Sequence, residues 1–117
     1  MTGYLTTHVL DLAKGGPAEG MRIDLFRIVG ETRTLLISLV TNHDGRTDRQ
    51  ILPTEEFQTG EYELVFYAGD YLDASGTPKE EPRFLNRIPL RFGMSSKSHY
   101  HVPLLLSPFG YSTYRGS

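Results

Sequence analysis

The sequence predicts an all-β protein, an antiparallel β-sandwich with at most one short helix. Apolar and polar residues alternate with a period of two along most of the chain, as expected for strands with one buried face. Turn-forming residues interrupt this alternation at short intervals, and the sequence has no internal repeat or low-complexity segment. With 117 residues the chain has the length of one domain, which we assign to residues 1–117.

The N-terminal half contains three predicted strands. The first covers residues 4–11 and is followed by a Lys-Gly-Gly-Pro breaker. The second covers residues 21–28, after which Gly30-Glu31 is a candidate hairpin turn. The third covers residues 34–41, and its many Leu, Ile and Val residues predict a well-buried strand.

The C-terminal half alternates short apolar runs with turn residues. Its predicted elements are, in order, a weak segment at 51–53, a strand at 61–68, a polar stretch at 69–82, and strands at 87–92, 98–106 and 110–115. Asp70 is a candidate start for a short helix in the polar stretch. Seven or eight strands with at most one helix fit a sandwich.

Composition excludes several classes of function. The net charge is −2 and no long basic run occurs, so nucleic acid and anionic membranes are poor partners. The absence of cysteine excludes disulfides, zinc–thiolate sites and cysteine nucleophiles. The N-terminus lacks the pattern of a signal peptide, and no apolar stretch approaches the roughly 20 residues of a membrane span. We therefore expect a soluble, cytoplasmic protein.

Histidines in predicted strands are the first candidates for chemistry, because imidazole exchanges protons near neutral pH. His8 lies in the first strand, and His99 and His101 share one face of the strand at 98–106. The opposite face of that strand is more apolar, which places these imidazoles on an outer sheet surface. The spacing permits His8, His101 and Tyr114 to meet there.

Other interpretations of these residues also remain open. A strand histidine is often a surface residue, His43 beside the tight Asp44-Gly45 turn is typical of a turn, and Arg46 is typical of a solvated loop. His-x-His on one strand face is also a metal-ligand pattern, so a zinc hydrolase built on His8, His99 and His101 is an alternative. No nearby carboxylate is a clear fourth ligand.

Three segments resemble one known family. Residues 99–117 read HYHVPLLLSPFGYSTYRGS, which closely resembles the C-terminal motif of the 5-hydroxyisourate hydrolases, the transthyretin-related proteins. Residues 5–11, LTTHVLD, resemble the first-strand motif of the same family. Thr41-Asn42 followed by Asp44-Gly45-Arg46 resembles its third element. The motifs occur in the family's order, so the resemblance covers essentially the whole chain.

The resemblance implies a sandwich of two four-stranded sheets with one short helix. It also implies a homotetramer in which sheet faces meet across a dimer–dimer interface and form a channel for a small-molecule substrate. The implied reaction is hydrolysis of 5-hydroxyisourate in urate degradation, without a metal or another cofactor. The implied catalytic residues are His8, Arg46, His101 and Tyr114, and the implied substrate-binding residues are His8, Arg46, Tyr114 and Ser117.

Two non-enzymatic alternatives remain beside the hydrolase. Transthyretins of the same family carry hormones, but they differ from this sequence at His8, Arg46, His101 and Tyr114. A hormone channel favours small or apolar side chains, so this polar set favours the hydrolase. A structural interaction domain would leave the Tyr-Arg-Gly-Ser ending unexplained.

Overall fold

The computed structural model describes residues 2–116, in which eight strands form two four-stranded sheets. The elements in chain order are β1 (Tyr4–Asp11), β2 (Gly16–Pro17), β3 (Arg22–Val29), β4 (Thr32–Val40), β5 (Gly60–Tyr67), α1 (Ala68–Ala74), β6 (Arg87–Met94), β7 (His99–Ser107) and β8 (Gly110–Thr113). One sheet has the strand order β2-β1-β7-β8 and the other β4-β3-β5-β6. The predicted sandwich of two four-stranded sheets with one short helix is confirmed.

One strand pair differs from the predicted antiparallel arrangement. β1 and β7 pair in parallel over their whole length, with Tyr4 opposite His99 and Asp11 opposite Leu106. Parallel neighbours require a long connection, and here all the strands of the second sheet lie between β1 and β7 in the chain. The histidine-bearing sheet is therefore mixed.

The core lies between the two sheets. Leu5 and Val9 of β1 and Leu104 of β7 are fully buried and belong to the same cluster as Leu25 and Phe66 from the other sheet. Burial of a side chain of this size contributes about 1.5–3 kcal/mol. Because side chains alternate across a strand, the other face of β1 and β7 points away from this core.

The predicted burial of the third strand is wrong. β4 is the edge strand of its sheet, where Leu35 is 50% exposed and Val40 57% exposed. Its partly buried residues, among them Leu36 and Ile37, pack on the margin of the core. The hairpin turn predicted at Gly30-Glu31 does join β3 to β4, with a positive φ of 61° at Gly30.

Several element boundaries also differ from the prediction. The helix begins at Ala68 rather than near Asp70, and the last strand ends at Thr113 rather than at residue 115. The weak segment at 51–53 forms only an isolated bridge between Leu52 and Leu5. Within residues 2–116 no helix is long and apolar enough to span a membrane.

Candidate active site

The register of β1 on β7 places three histidines on one outer sheet surface. Thr6 lies opposite His101, and His8 lies two residue pairs further along, opposite Pro103 and on the same face as Thr6. The ring centroids of His8 and His101 are 6.3 Å apart, and those of His99 and His101 are 6.2 Å apart. The meeting of His8 with His101 that the strand periodicity permits therefore occurs, and His99 joins them.

A tight turn brings Arg46 to the same surface. The side-chain oxygen of Asn42 accepts hydrogen bonds from the backbone N–H groups of Asp44 and Arg46, which closes the turn on itself. Gly45 has a positive φ of 74°, and an added Cβ would lie 2.4 Å from the carbonyl oxygen of Val9. Only glycine lets the loop approach β1 this closely, and the result is a bridge between Arg46 and His8.

A pocket of about 520 Å³ opens on this surface. β1 and β7 form its floor, and the segment after the tight turn forms its wall. Its polar and charged lining includes Thr6, Arg46, Asp48, Arg49, His99 and His101. A small polar molecule with several hydrogen-bonding groups fits such a lining better than a large apolar one.

The hydroxyl of Thr6 lies between two imidazoles. Its Oγ1 is 2.7 Å from Nε2 of His99 and 2.8 Å from Nδ1 of His101. The ring of Tyr4 stacks on His99 with a centroid distance of 4.1 Å and an interplanar angle of 12°. Thr6 and Tyr4 thus fix the rings of His99 and His101 on the pocket floor.

Burial and charge lower the pKa of two of the histidines. The pKa of His8 and that of His101 both lie below the ordinary value of 6.5, first because of partial burial and second because of the positive charge of Arg46. His8 and His99 lower the pKa of His101 further, whereas Asp44 opposes the shift at His8. Both imidazoles are therefore neutral at neutral pH and can accept a proton.

The C-terminal segment packs beside the histidines. The backbone N–H of Gly116 donates a hydrogen bond of 2.7 Å to the carbonyl oxygen of His101. The guanidinium of Arg115 lies 4.1 Å from the ring centroid of Tyr100 and 3.5 Å from the carbonyl oxygen of His99. Ser117, which the sequence implicated in substrate binding, lies outside the described residues.

Tyr114 is placed apart from the other candidate residues. It is 59% exposed and, with Arg115, lines a second cavity of about 360 Å³ that Tyr100 and Val102 also line. Tyr100 and Val102 belong to the core-facing side of β7, opposite the histidines. Within residues 2–116 no hydrogen bond or ring contact joins Tyr114 to His8, His101 or Arg46.

The sequence did not single out two residues of this site. Thr6 shares a strand face with His8, but its partners His99 and His101 are 93 and 95 residues away, and only the β1–β7 register reveals them. Tyr4 contributes through stacking, for which periodicity gives no signal. Within residues 2–116, no three His, Cys, Asp or Glu side chains converge as a set of metal ligands.

Known proteins resemble this chain over nearly its whole length. Residues 5–116 match the model of the HIUase/Transthyretin family. The chain is 60% identical over 115 residues to a 5-hydroxyisourate hydrolase of Mesorhizobium japonicum, a match that covers 98% of this chain and 93% of that protein.

Two solved structures extend the likeness to three dimensions. An (S)-allantoin synthase superposes with a TM-score of 0.92 at 48% identity; the match covers 99% of this chain but only 44% of the synthase. Sea bream transthyretin in complex with thyroxine superposes with a TM-score of 0.83 at 25% identity, covering 96% of this chain and 93% of the transthyretin.

Proposed function

Because the chain belongs to the HIUase/Transthyretin family, we propose that it is an enzyme, a 5-hydroxyisourate hydrolase. It opens the cyclic amide C–N bond of its substrate to give 2-oxo-4-hydroxy-4-carboxy-5-ureidoimidazoline in urate degradation. One observation supports this proposal above the others: His101 and Arg46 line a polar pocket on one sheet surface, and His8, which does not line the pocket, lies beside both of them.

A histidine-assisted attack by water suits this arrangement. His8 and His101 have lowered pKa values, so each can take a proton from water near neutral pH. Arg46 stays protonated, and its planar group of donors matches the urea-like oxygens of the substrate. Its role is to bind the substrate and to stabilise the oxyanion that forms when water adds to the carbonyl.

The proposed roles of Tyr114 and Ser117 require several copies of the chain to assemble. We propose a homotetramer with its sites at the dimer–dimer interface, in which Tyr114 and Ser117 help to bind the substrate. Support comes from the position of the pocket on an outer sheet surface and from exposed apolar residues such as Leu12, Val29 and Tyr111. Native mass spectrometry tests the subunit number directly, and a monomer would contradict this part.

The decisive experiment is an ultraviolet time course of 5-hydroxyisourate made in place by urate oxidase. The purified protein is first treated with a chelator, and its His101→Asn variant serves as the control. Faster decay than the spontaneous rate, lost in the variant, supports a metal-independent hydrolase. No acceleration by the folded protein rejects that mechanism, and recovery on adding zinc would favour the zinc alternative.

The likeness to thyroxine-bound transthyretin makes hormone carriage the second candidate. Arg46, Asp48 and Arg49 argue against it, because a pocket for a large apolar ligand is lined mainly by apolar side chains. Titration of the protein with thyroxine by calorimetry separates the two functions. Tight binding without hydrolase activity would favour the carrier.

A further inference from the structure

The Thr6 hydroxyl bridges the imidazoles of His99 and His101. Oγ1 lies within hydrogen-bond distance of one nitrogen of each ring, 2.7 Å from Nε2 of His99 and 2.8 Å from Nδ1 of His101. A hydroxyl has one proton and two lone pairs, so with two neutral imidazoles it can donate to one ring while it accepts an N–H from the other. In that arrangement the tautomers of the two rings are complementary.

We propose that Thr6 is a positioning residue that relays a proton between His101 and His99 during catalysis, an inference that rests on the proposed hydrolase function. In the resting state His101 donates Nδ1–H to Oγ1 of Thr6, and Thr6 donates its own proton to Nε2 of His99. This tautomer leaves Nε2 of His101 unprotonated and ready to act as the base.

Each proton in the relay has a defined origin and destination. As the oxygen of water bonds to the substrate carbonyl carbon, one O–H bond breaks and that proton moves to Nε2 of His101. The Nδ1 proton of His101 moves to Oγ1 of Thr6, and the former Thr6 proton moves to Nε2 of His99. The positive charge thus reaches His99, and reversal of the relay returns a proton through His101 to the leaving nitrogen.

The surroundings of the two rings favour this direction. His101 lies near Arg46 and His8, and a cation there is disfavoured by both burial and the charge of Arg46. His99 instead stacks on the ring of Tyr4, 4.1 Å away, whose π-system attracts a cation.

The other charged groups near His99 lie on two elements. Asp48 and Arg49, from the loop, line the same pocket and bear opposite charges. Arg115, from the C-terminal segment, approaches the backbone carbonyl of His99, and its guanidinium stacks on the neighbouring Tyr100. Arg46 lines the same pocket, so the charges around His99 comprise one carboxylate and three guanidinium groups.

The test compares three variants of the intact protein with the wild type. Thr6→Val keeps the shape and removes the hydroxyl, Thr6→Ser keeps the hydroxyl, and Thr34→Val is the control at an exposed position of β4. Circular dichroism confirms that each variant folds. The readouts are the pH profile of kcat/KM and long-range ¹H–¹⁵N spectra, which report imidazole tautomers without substrate.

We expect Thr6→Val to lower kcat by about 10- to 100-fold, part of the effect of a general base. The acid limb of the kcat/KM profile of Thr6→Val should move to lower pH, because without the relay the proton stays on His101, beside Arg46. Thr6→Ser should have the kcat and the acid limb of the wild type. The spectra should show complementary tautomers in the wild type and in Thr6→Ser only.

Two results separate failure of the relay from failure of the proposed function. An active wild type whose rate, pH profile and tautomers are unchanged by Thr6→Val rejects the relay and leaves the hydrolase intact. An inactive wild type rejects the hydrolase function and with it the catalytic relay. Complementary tautomers in the spectra of that protein would still establish that Thr6 couples the rings of His99 and His101.

Discussion

Gly116 lies so close to His101 that any side chain at this position would displace the imidazole or the chain end. Its N–H donates a 2.7 Å hydrogen bond to the carbonyl oxygen of His101, and an added Cβ would lie 2.8 Å from Cδ2 of the imidazole. This requirement for glycine comes from the close approach of the chain end to the ring. The C-terminal segment therefore fixes one side of His101 while Thr6 fixes another.

Gly116→Ala should consequently displace His101 or the chain end. Since a misplacement of about 1 Å can cost 10²-fold in rate, we expect kcat to fall by about 10- to 100-fold. Gly93→Ala in β6 is the matched control, because an added Cβ there meets nothing within 4 Å. Steady-state kinetics measures the effect, and a Gly116→Ala enzyme as fast as the control would contradict this packing argument.

His101→Asn removes the proposed base while it keeps a polar side chain of similar size. We expect kcat to fall by about 10²–10⁴-fold, the usual size of a general acid–base contribution, with the subunit number of the wild type unchanged. His43→Asn is the control, since the His43 side chain is 79% exposed beside the turn. Native mass spectrometry verifies assembly, and an unchanged kcat would remove His101 from the mechanism.

The charge of Arg46 should set the pH dependence of the reaction. The proposed base must be neutral, and the pKa of His8 and that of His101 lie below 6.5 because of burial and of Arg46. Activity should therefore persist as the pH falls below 6.5 and be lost only as the pH passes below the lowered pKa values.

Arg46→Gln removes one cause of these shifts, so both pKa values should rise toward 6.5 and the acid limb of kcat/KM should move to higher pH. Weaker substrate binding should also lower kcat/KM at every pH. Profiles over roughly pH 5 to 8 measure both effects. Arg49→Gln in the same pocket is the control; an identical shift in that variant would mean that general pocket charge, and not Arg46, controls the histidines.

The sequence could predict features of the site that depend on neighbouring residues in the chain. It could not predict contacts between residues that are far apart in the chain. Strict alternation in β1 predicts its bounds, Tyr4–Asp11, and the face that carries His8. The pairing of Thr6 with His99 and His101 depends on a parallel register between strands at opposite ends of the chain, which local periodicity does not contain.

Local sequence also does not show whether a strand lies at the edge of its sheet. The apolar composition of β4 predicts burial, but burial also requires neighbours on both sides, and β4 has a neighbour on one side only. Alternation does not determine the position of Tyr114 either, because β8 ends at Thr113 and the pattern no longer fixes the face of the next residue.

A buried hydrogen-bonded pair outside the histidine pocket gives a prediction about stability. The hydroxyl of Tyr71 in α1 donates a 2.6 Å hydrogen bond to Oδ2 of Asp11 at the end of β1. Asp11 is only 3% exposed and Tyr71 only 6% exposed. Burial and the bond to Asp11 raise the pKa of Tyr71, so the phenol stays protonated and keeps donating.

Tyr71→Phe keeps the ring but leaves the buried oxygen of Asp11 without this donor, which should lower the free energy of unfolding by about 1–3 kcal/mol. Thr34→Val is the control, because Thr34 is exposed on β4. Urea unfolding at one protein concentration measures both variants, so that any contribution of assembly to the apparent stability is the same for both. Hydrolase activity should be retained, because neither Tyr71 nor Asp11 lines the histidine pocket. Equal stability of the two variants would mean that water replaces the lost donor at Asp11 and that the bond does not hold α1 against β1.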